Sequence, residues 1–332
     1  MRVGVIGAGA VGGAIAALLV RGGHSVEVTA RGEQLAAIRT GGIRLAGAWG
    51  DYTATVLANS QLTVPAELVI VTTKAQDAAA AIASNAHGVD GAPILVVQNG
   101  LASLDTARSV APGSDIVGGL AMYAASFLSP GRVTITTPGV TYLGSGNAKD
   151  NGVPARYVET VLGEVMPVQV TDNFVGAQWS KLVVNQINAL PAITGLSAQE
   201  VIADGGLRRI MTASIRETVR VGFASGITFA PLQGLTNPLL RAIAHLPLVA
   251  AQALPLTLAK RMGTTPNPGS TLQSIRRGQL SEIDFLNGAV VERGAASGIP
   301  TLVNATLVEL VHDVERTGDF YSPAAVVARV RV

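Results

Sequence analysis

Arg2-Val3-Gly4-Val5-Ile6-Gly7-Ala8-Gly9-Ala10-Val11-Gly12-Gly13-Ala14-Ile15 opens the chain directly after Met1. An apolar, β-branched run at 2–6 gives way to Gly7-x-Gly9-x-x-Gly12 and then to an Ala-rich stretch of helical character at 10–21. Strand, glycine turn and helix form the context in which G-x-G-x-x-G marks a dinucleotide cradle. In that reading Gly7 makes the tight turn, Gly9 admits the pyrophosphate to the backbone and Gly12 lets helix and strand pack closely. The amides of Ala8, Ala10 and Val11 fall at the helix N-terminus, where unpaired N–H groups suit phosphate. The alternative is a glycine-rich turn without a ligand. A secretory leader is a further reading of this stretch, because 3–20 carries no charge and follows Arg2. Gly4, Gly7, Gly9, Gly12 and Gly13 oppose it, each costing ~1 kcal/mol relative to Ala in a helix.

Outward from the opening unit, short apolar runs at 25–29, 68–72, 94–97 and 115–122 alternate with helical stretches at 33–40, 75–86 and 102–110. Strands apolar throughout, each followed by a helix, describe a parallel sheet covered on both faces. Runs at 133–136, 141–143 and 168–170 are expected to extend that sheet, with turns at Pro130-Gly131 and Gly144-Ser145-Gly146. From about Phe174 the pattern becomes helical, at 177–190, 198–225, 282–297 and 302–316, with a break in the second at Gly205-Gly206. The fold class is therefore α/β: a Rossmann-type parallel-sheet domain over 1–173 followed by an all-helical domain over 174–332.

The second strand ends in Ala30-Arg31, with Glu27 inside the strand and Glu33 beyond it. NAD sites place an acid near this tip for the ribose hydroxyls, whereas a guanidinium pairs with a 2′-phosphate. Arg31 thus favours NADP, the alternative being a solvated loop residue. Lys74 closes the run 69–74 and Asn99-Gly100 closes 94–98. Both stand at strand ends, where open parallel sheets collect ligands; a solvated lysine and an ordinary Asn-Gly turn are equally open.

In Trp179-Ser180-Lys181-Leu182-Val183-Val184-Asn185-Gln186-Ile187-Asn188, the residues Lys181, Asn185 and Asn188 are spaced i, i+4, i+7. On a helix they fall within roughly 60° of one another. A polar stripe on an otherwise apolar helix must find polar partners or solvent. Ser270-Thr271-Leu272-Gln273 and Ser281-Glu282-Ile283-Asp284 each read as a helix start, with Ser as the cap and Glu282 in the first turn.

Composition narrows the class. Charged residues make up 14% of the 332 residues, the formal net charge is +2, and no Lys/Arg cluster interleaves with aromatics, so a nucleic-acid partner is not expected. With no Cys, thiolate metal sites, disulfides and Cys nucleophiles are excluded, and a reducing, cytoplasmic location is expected. No metal is expected. The apolar stretch 246–259 holds two prolines and is shorter than the ~20 residues that span a bilayer, so no membrane segment is expected.

Taken in order, the glycine fingerprint, Lys74, Asn99-Gly100, Trp179-x-Lys181-x-x-x-Asn185, Ser270-x-Leu272-Gln273 and Glu282-Ile283-Asp284-Phe285-Leu286-Asn287-Gly288 resemble the ketopantoate reductase (2-dehydropantoate 2-reductase) family across nearly the whole chain. The resemblance implies an NADP-binding Rossmann domain, a helical domain, and an active site in the cleft between them that reduces 2-dehydropantoate to pantoate. It implies that Arg31 and Lys74 hold the 2′-phosphate and that Asn99 lies by nicotinamide and substrate. It further implies that Lys181 is the general acid, that Asn185 and Ser270 bind substrate, and that Glu282 orients the reacting groups; Asn188 is carried as a further substrate contact. A lysine at its ordinary pKa of ~10.4 arrives protonated at neutral pH, able to polarise a carbonyl and supply the proton.

Three departures from the family pattern fall where substrate is expected. Asn188 follows Asn185 by three residues where members have four, 227–269 is longer than in compact members, and Tyr123-Ala124 replaces a frequent His. A reductase of another 2-keto acid and a non-catalytic NADP sensor are the competing functions, and a homodimer is an open expectation.

Overall fold

A computed structural model of the protein describes residues 1–89, 91–145, 152–263 and 266–332, so Gly146 of the expected turn lies outside the described residues. The chain divides into two compact units, Met1–Phe174 and Val175–Val332.

Among its described residues the first unit holds twelve strands: β1 (Arg2–Ile6), β2 (Ser25–Thr29), β3 (Ile43–Gly47), β4 (Tyr52–Ala54), β5 (Leu57–Asn59), β6 (Leu68–Val71), β7 (Ile94–Val97), β8 (Ile116–Ala121), β9 (Ala124–Ser129), β10 (Arg132–Thr137), β11 (Thr141–Gly144) and β12 (Val168–Val170). Its helices are α1 (Ala10–Arg21), α2 (Gly32–Gly41), α3 (Ala78–Ser84), α4 (Ala86–Val89), α5 (Ser103–Val110) and α6 (Val153–Gly163). Eight strands form one sheet in the order β12-β11-β8-β7-β6-β1-β2-β5. β5, β2, β1, β6, β7 and β8 run parallel, with Val5 opposite Val28 and Ile70. β11 turns antiparallel to β8, setting Gly144 opposite Gly118. Phe174 covers that pair: a Cβ on Gly118 would sit 2.3 Å from its ring.

β11 and β12 extend the large sheet as expected, but β10 does not. It belongs to a separate four-stranded sheet, β4-β3-β10-β9, parallel to β3 and antiparallel to β9. The physical reason is its alternation: Val133 and Ile135 are buried while their neighbours reach the surface, the pattern of a sheet covered on one face only. The large-sheet strands β6 and β7 are buried at every position. The turn Pro130-Gly131 joins β9 to β10.

α1 lies between the two sheets, packed on β1 and β2 on one side and on β3, β4, β9 and β10 on the other. A helix covered all round must be apolar all round, which accounts for the unbroken buried run from Gly12 to Leu19.

The second unit is helical among its described residues: α7 (Phe174–Asn185, beginning on the last residue of the first unit), α8 (Ala189–Thr194), α9 (Ala198–Ala203), α10 (Gly205–Ala224), α11 (Asn237–His245), α12 (Leu248–Ala251), α13 (Ala253–Met262), α14 (Gly269–Arg276), α15 (Asn287–Ser297), α16 (Leu302–Thr317) and α17 (Pro323–Arg329). The expected break near Gly205-Gly206 falls at Asp204, whose side chain accepts from the Leu207 amide at 2.9 Å and starts α10. The longer 227–269 segment contains α11 to α13, which sequence periodicity did not resolve. No helix among the described residues is long and apolar enough to cross a membrane.

At the centre of this unit is a buried polar knot. Ser214 Oγ lies 2.9 Å from both Gln186 Oε1 and Asn304 Oδ1 and donates its one proton between them, Asn287 Nδ2 donates to the same two oxygens, and Asn304 Nδ2 donates to Glu217. It ties α10, α15 and α16 to the turn that follows α7.

Candidate active site

In the first unit, four loops leave the carboxyl ends of four adjacent parallel strands, β7-β6-β1-β2, and so share one sheet edge. They carry Asn99-Gly100, Thr72-Thr73-Lys74, the Gly7–Gly12 loop and Ala30-Arg31 respectively. This places every expected cofactor residue at the edge where open parallel sheets bind ligands.

The glycine loop is held by hydrogen bonds to the ends of β2 and β6. Gly7 N donates to Thr29 Oγ1 at 3.1 Å, Ala8 N to the Thr29 carbonyl at 3.0 Å, and Thr72 Oγ1 to the Gly7 carbonyl at 2.6 Å. Gly7 has φ +103°, and a Cβ on Gly12 would lie 2.1 Å from the Gly7 carbonyl oxygen. The first requires glycine for conformation and the second for approach. By contrast, a Cβ on Gly9 would meet nothing within 4 Å. Gly9 is the α1 N-cap, no side chain caps it, and the first turn holds no acid. An open, positive helix end is what a pyrophosphate needs. Two buried oxygens at the same edge, Thr73 Oγ1 and Gln98 Oε1, have no partner among the described residues. The residues present therefore fit a dinucleotide.

Arg31 is exposed and serves as the N-cap residue of α2. The nearest in-strand acid, Glu27, is 5% exposed and fully engaged. It accepts from Asn59 Nδ2 at 2.9 Å, from the Thr63 amide at 2.9 Å and from Thr63 Oγ1 at 2.8 Å. No carboxylate of β2 is thus left to take a ribose diol. Lys74 is half-buried at the end of the β6 loop, and Gln98 Nε2 crosses from β7 to the Thr73 carbonyl at 2.7 Å. Tyr123 is buried against Trp49, ring centroids 4.7 Å apart, and packs in the core of this unit.

In the second unit, Lys181 sits two-thirds along α7, half-buried, with Trp179 and Leu182 beside it in the core. Burial lowers its ammonium to about 8, against the opposing pull of the Glu282 carboxylate. One turn on, Asn185 Nδ2 is buried with no partner among the described residues. An unsatisfied amide beside a desolvated ammonium is a costly arrangement unless something polar docks there.

The single stripe expected through Asn188 is corrected. α7 ends at Asn185, and the amides of Gln186, Ile187 and Asn188 bond only three residues back. Pro191 explains this: its ring excludes a helical carbonyl at Ile187 and it has no N–H to donate. Asn188 instead packs on α14, its Oδ1 2.5 Å from where a Gly269 Cβ would stand, next to Ser270. Ser270 is no cap either. It is the second residue of α14, and Asn267 Oδ1 accepts from the Gly269 amide at 2.9 Å.

Glu282 likewise does not begin a long helix. It precedes a single 3-10 turn, Ile283–Phe285, and α15 starts at Asn287. This turn is clamped by α16: Glu315 accepts from the Ser281 amide at 2.7 Å, and His312 bridges Glu315 and Asp284 at 2.9 Å each. Sequence reasoning missed Thr29, Thr72, Thr73 and Gln98, whose position at strand ends was an available signal. It also missed Gln34, for which there was none.

Residues 3–148 match the family model described as ketopantoate reductase PanE/ApbA, and residues 173–315 match that of its C-terminal part. A 2-dehydropantoate 2-reductase of Archaeoglobus fulgidus is 29% identical over 95% of this chain and 98% of its own length. One from Halobacterium salinarum is 27% identical over 96% and 100%. The crystal structure of a PanE/ApbA family ketopantoate reductase from Ralstonia eutropha JMP134 is 30% identical, with a TM-score of 0.78 over 95% of this chain and 99% of that one. The ternary structure of D-mandelate dehydrogenase with NADH and anilino(oxo)acetate shares the fold, at a TM-score of 0.80 and 22% identity over 96% and 99% of the two chains. The chain belongs to the ketopantoate reductase family, whose members are NADPH-using oxidoreductases acting on CH–OH groups.

Proposed function

We propose that this chain reduces 2-dehydropantoate to (R)-pantoate with NADPH, with Lys181 as the proton donor. NADPH supplies the hydride to the keto carbon. Gly7, Ala8, Gly9, Ala10, Val11 and Gly12 hold its pyrophosphate, Arg31 and Lys74 its 2′-phosphate, and Asn99 borders its nicotinamide. The Lys181 ammonium hydrogen-bonds the keto oxygen and passes it a proton as negative charge builds there. Glu282 keeps that ammonium charged, and Asn185, Asn188 and Ser270 bind the substrate. The observation that carries this reading is the pairing of Lys181, lowered to about 8, with the Asn185 Nδ2 one turn away, which has no partner among the described residues.

The test is loss of NADPH absorbance across a panel of 2-keto acids. Turnover of 2-dehydropantoate far above the rest is expected, and Lys181→Ala should lower turnover by about 10² or more while NADPH affinity stays within a few-fold. Preferred turnover of an aryl or linear keto acid reassigns the substrate; NADPH binding without turnover of any keto acid leaves a sensor. A homodimer in the cytoplasm is part of the proposal. Its support is the apolar exposure of Leu239, Leu246, Val249 and Leu256 on and between α11 and α13 together with the cysteine-free composition. A monomeric mass by light scattering would remove the dimer.

A further inference from the structure

The helix that begins at Arg31 is thinly anchored. Of the residues of α2, Ile38 alone is buried. The chain enters it through Gly32, at φ +53°, a flexible approach for an element that must present a guanidinium accurately. Its orientation therefore depends on polar ties at its two ends. At the far end Arg39 donates to the Ala58 carbonyl at 2.9 Å and to Asn59 Oδ1 at 2.8 Å, fastening α2 to β5.

At the near end the tie is Gln34. Its Nε2 donates to the Ala8 carbonyl at 2.6 Å, and its Oε1 accepts from the Gly131 amide at 2.7 Å. Ala8 is the middle of the Gly7–Gly9 turn. Gly131, at φ +73°, sits in the tight turn between β9 and β10, where its carbonyl accepts from the Arg44 amide at 2.8 Å. One side-chain amide thus joins the glycine loop, the Arg31 helix and the second sheet, with its donor and its acceptor both in use.

We infer that Gln34 is a positioning residue for cofactor choice: it fixes the spacing between the pyrophosphate cradle and the 2′-phosphate site. The inference rests on the proposed role of Arg31. NADPH must satisfy both phosphate subsites at once, whereas NADH uses only the cradle. A change in their spacing therefore falls on NADPH, because the second contact is made only when the geometry is already correct.

The test is fluorescence titration of the full chain with NADPH and with NADH, comparing wild type, Gln34→Met, Arg31→Ala and the double variant. Gln34→Met keeps the length and apolar bulk and removes both hydrogen bonds; Gln34→Asn withdraws them by one methylene and serves if the first variant does not fold. Loss of NADPH affinity by roughly fivefold is expected, the worth of about one net hydrogen bond, with NADH affinity changed by less than about twofold. In the Arg31→Ala background the Gln34 substitution should cost NADPH no more than it costs NADH, since the contact it positions is gone. Equal loss for both nucleotides, or full additivity with Arg31→Ala, overturns the inference and leaves the Arg31 assignment standing. An Arg31→Ala variant that keeps the wild-type preference removes the phosphate assignment, and the inference with it.

Discussion

Lys181 shows what residue-level reading reaches. Its type and its spacing from Asn185 were visible, but its acidity was not, because desolvation is a property of the packed helix. An ammonium lowered to about 8 is mostly protonated at pH 7 and loses its proton as the pH rises through that value. The rate of keto-acid reduction should therefore be flat below about pH 7 and fall on an alkaline limb near 8. Glu282 opposes the lowering, so Glu282→Gln should move that limb to lower pH as well as slow the reaction. A limb that stays in place, or moves upward, in the Gln variant would show that the carboxylate does not act on Lys181. Arg31 and Glu27 make the complementary point. Arg31 was legible as an exposed cation at a strand tip, whereas the engagement of Glu27 by Asn59 and Thr63 depends on β5, which no sequence pattern announced.

At the scale of elements, the strands buried throughout were legible from their apolar runs, as was the break before α10. The second sheet was not, although 132–137 carried the alternation that distinguishes it. In that sheet β3 and β4, to one side of β10, are short and include Arg44, Gly47 and Thr53, residues that read equally well as loop. The Asn185–Asn188 stripe failed for a reason that was written in the chain, a proline three residues beyond. What no periodicity could indicate is the polar knot of Gln186, Ser214, Asn287 and Asn304, which joins residues up to 118 positions apart. Asn304 serves it with both its amide oxygen and its amide nitrogen and satisfies half-buried Glu217. Asn304→Ala should destabilise the chain by about 2–4 kcal/mol, because it strands several buried partners at once. Denaturant unfolding checks this; a loss under about 1 kcal/mol would mean that water replaces the side chain.

For the whole molecule, two units of contrasting architecture each bury a core of their own, and the cofactor residues proposed here all fall in the first. Ligand binding to the folded state alone adds ~2.7 kcal/mol of stability at a free concentration a hundredfold above Kd. Calorimetry with NADPH should raise the unfolding transition of the first unit, and an equal concentration of NADH should raise it less. Identical shifts would count against a 2′-phosphate contact at Arg31.

A helix roofed by one sheet and floored by another has no solvent side toward which to relax. The amides from Ile15 to Leu19 should accordingly be among the last in the protein to exchange with deuterium. The glycine turn sits at the front of that rod, so the phosphate grip proposed for it is built in advance of the ligand and would need little ordering on its arrival.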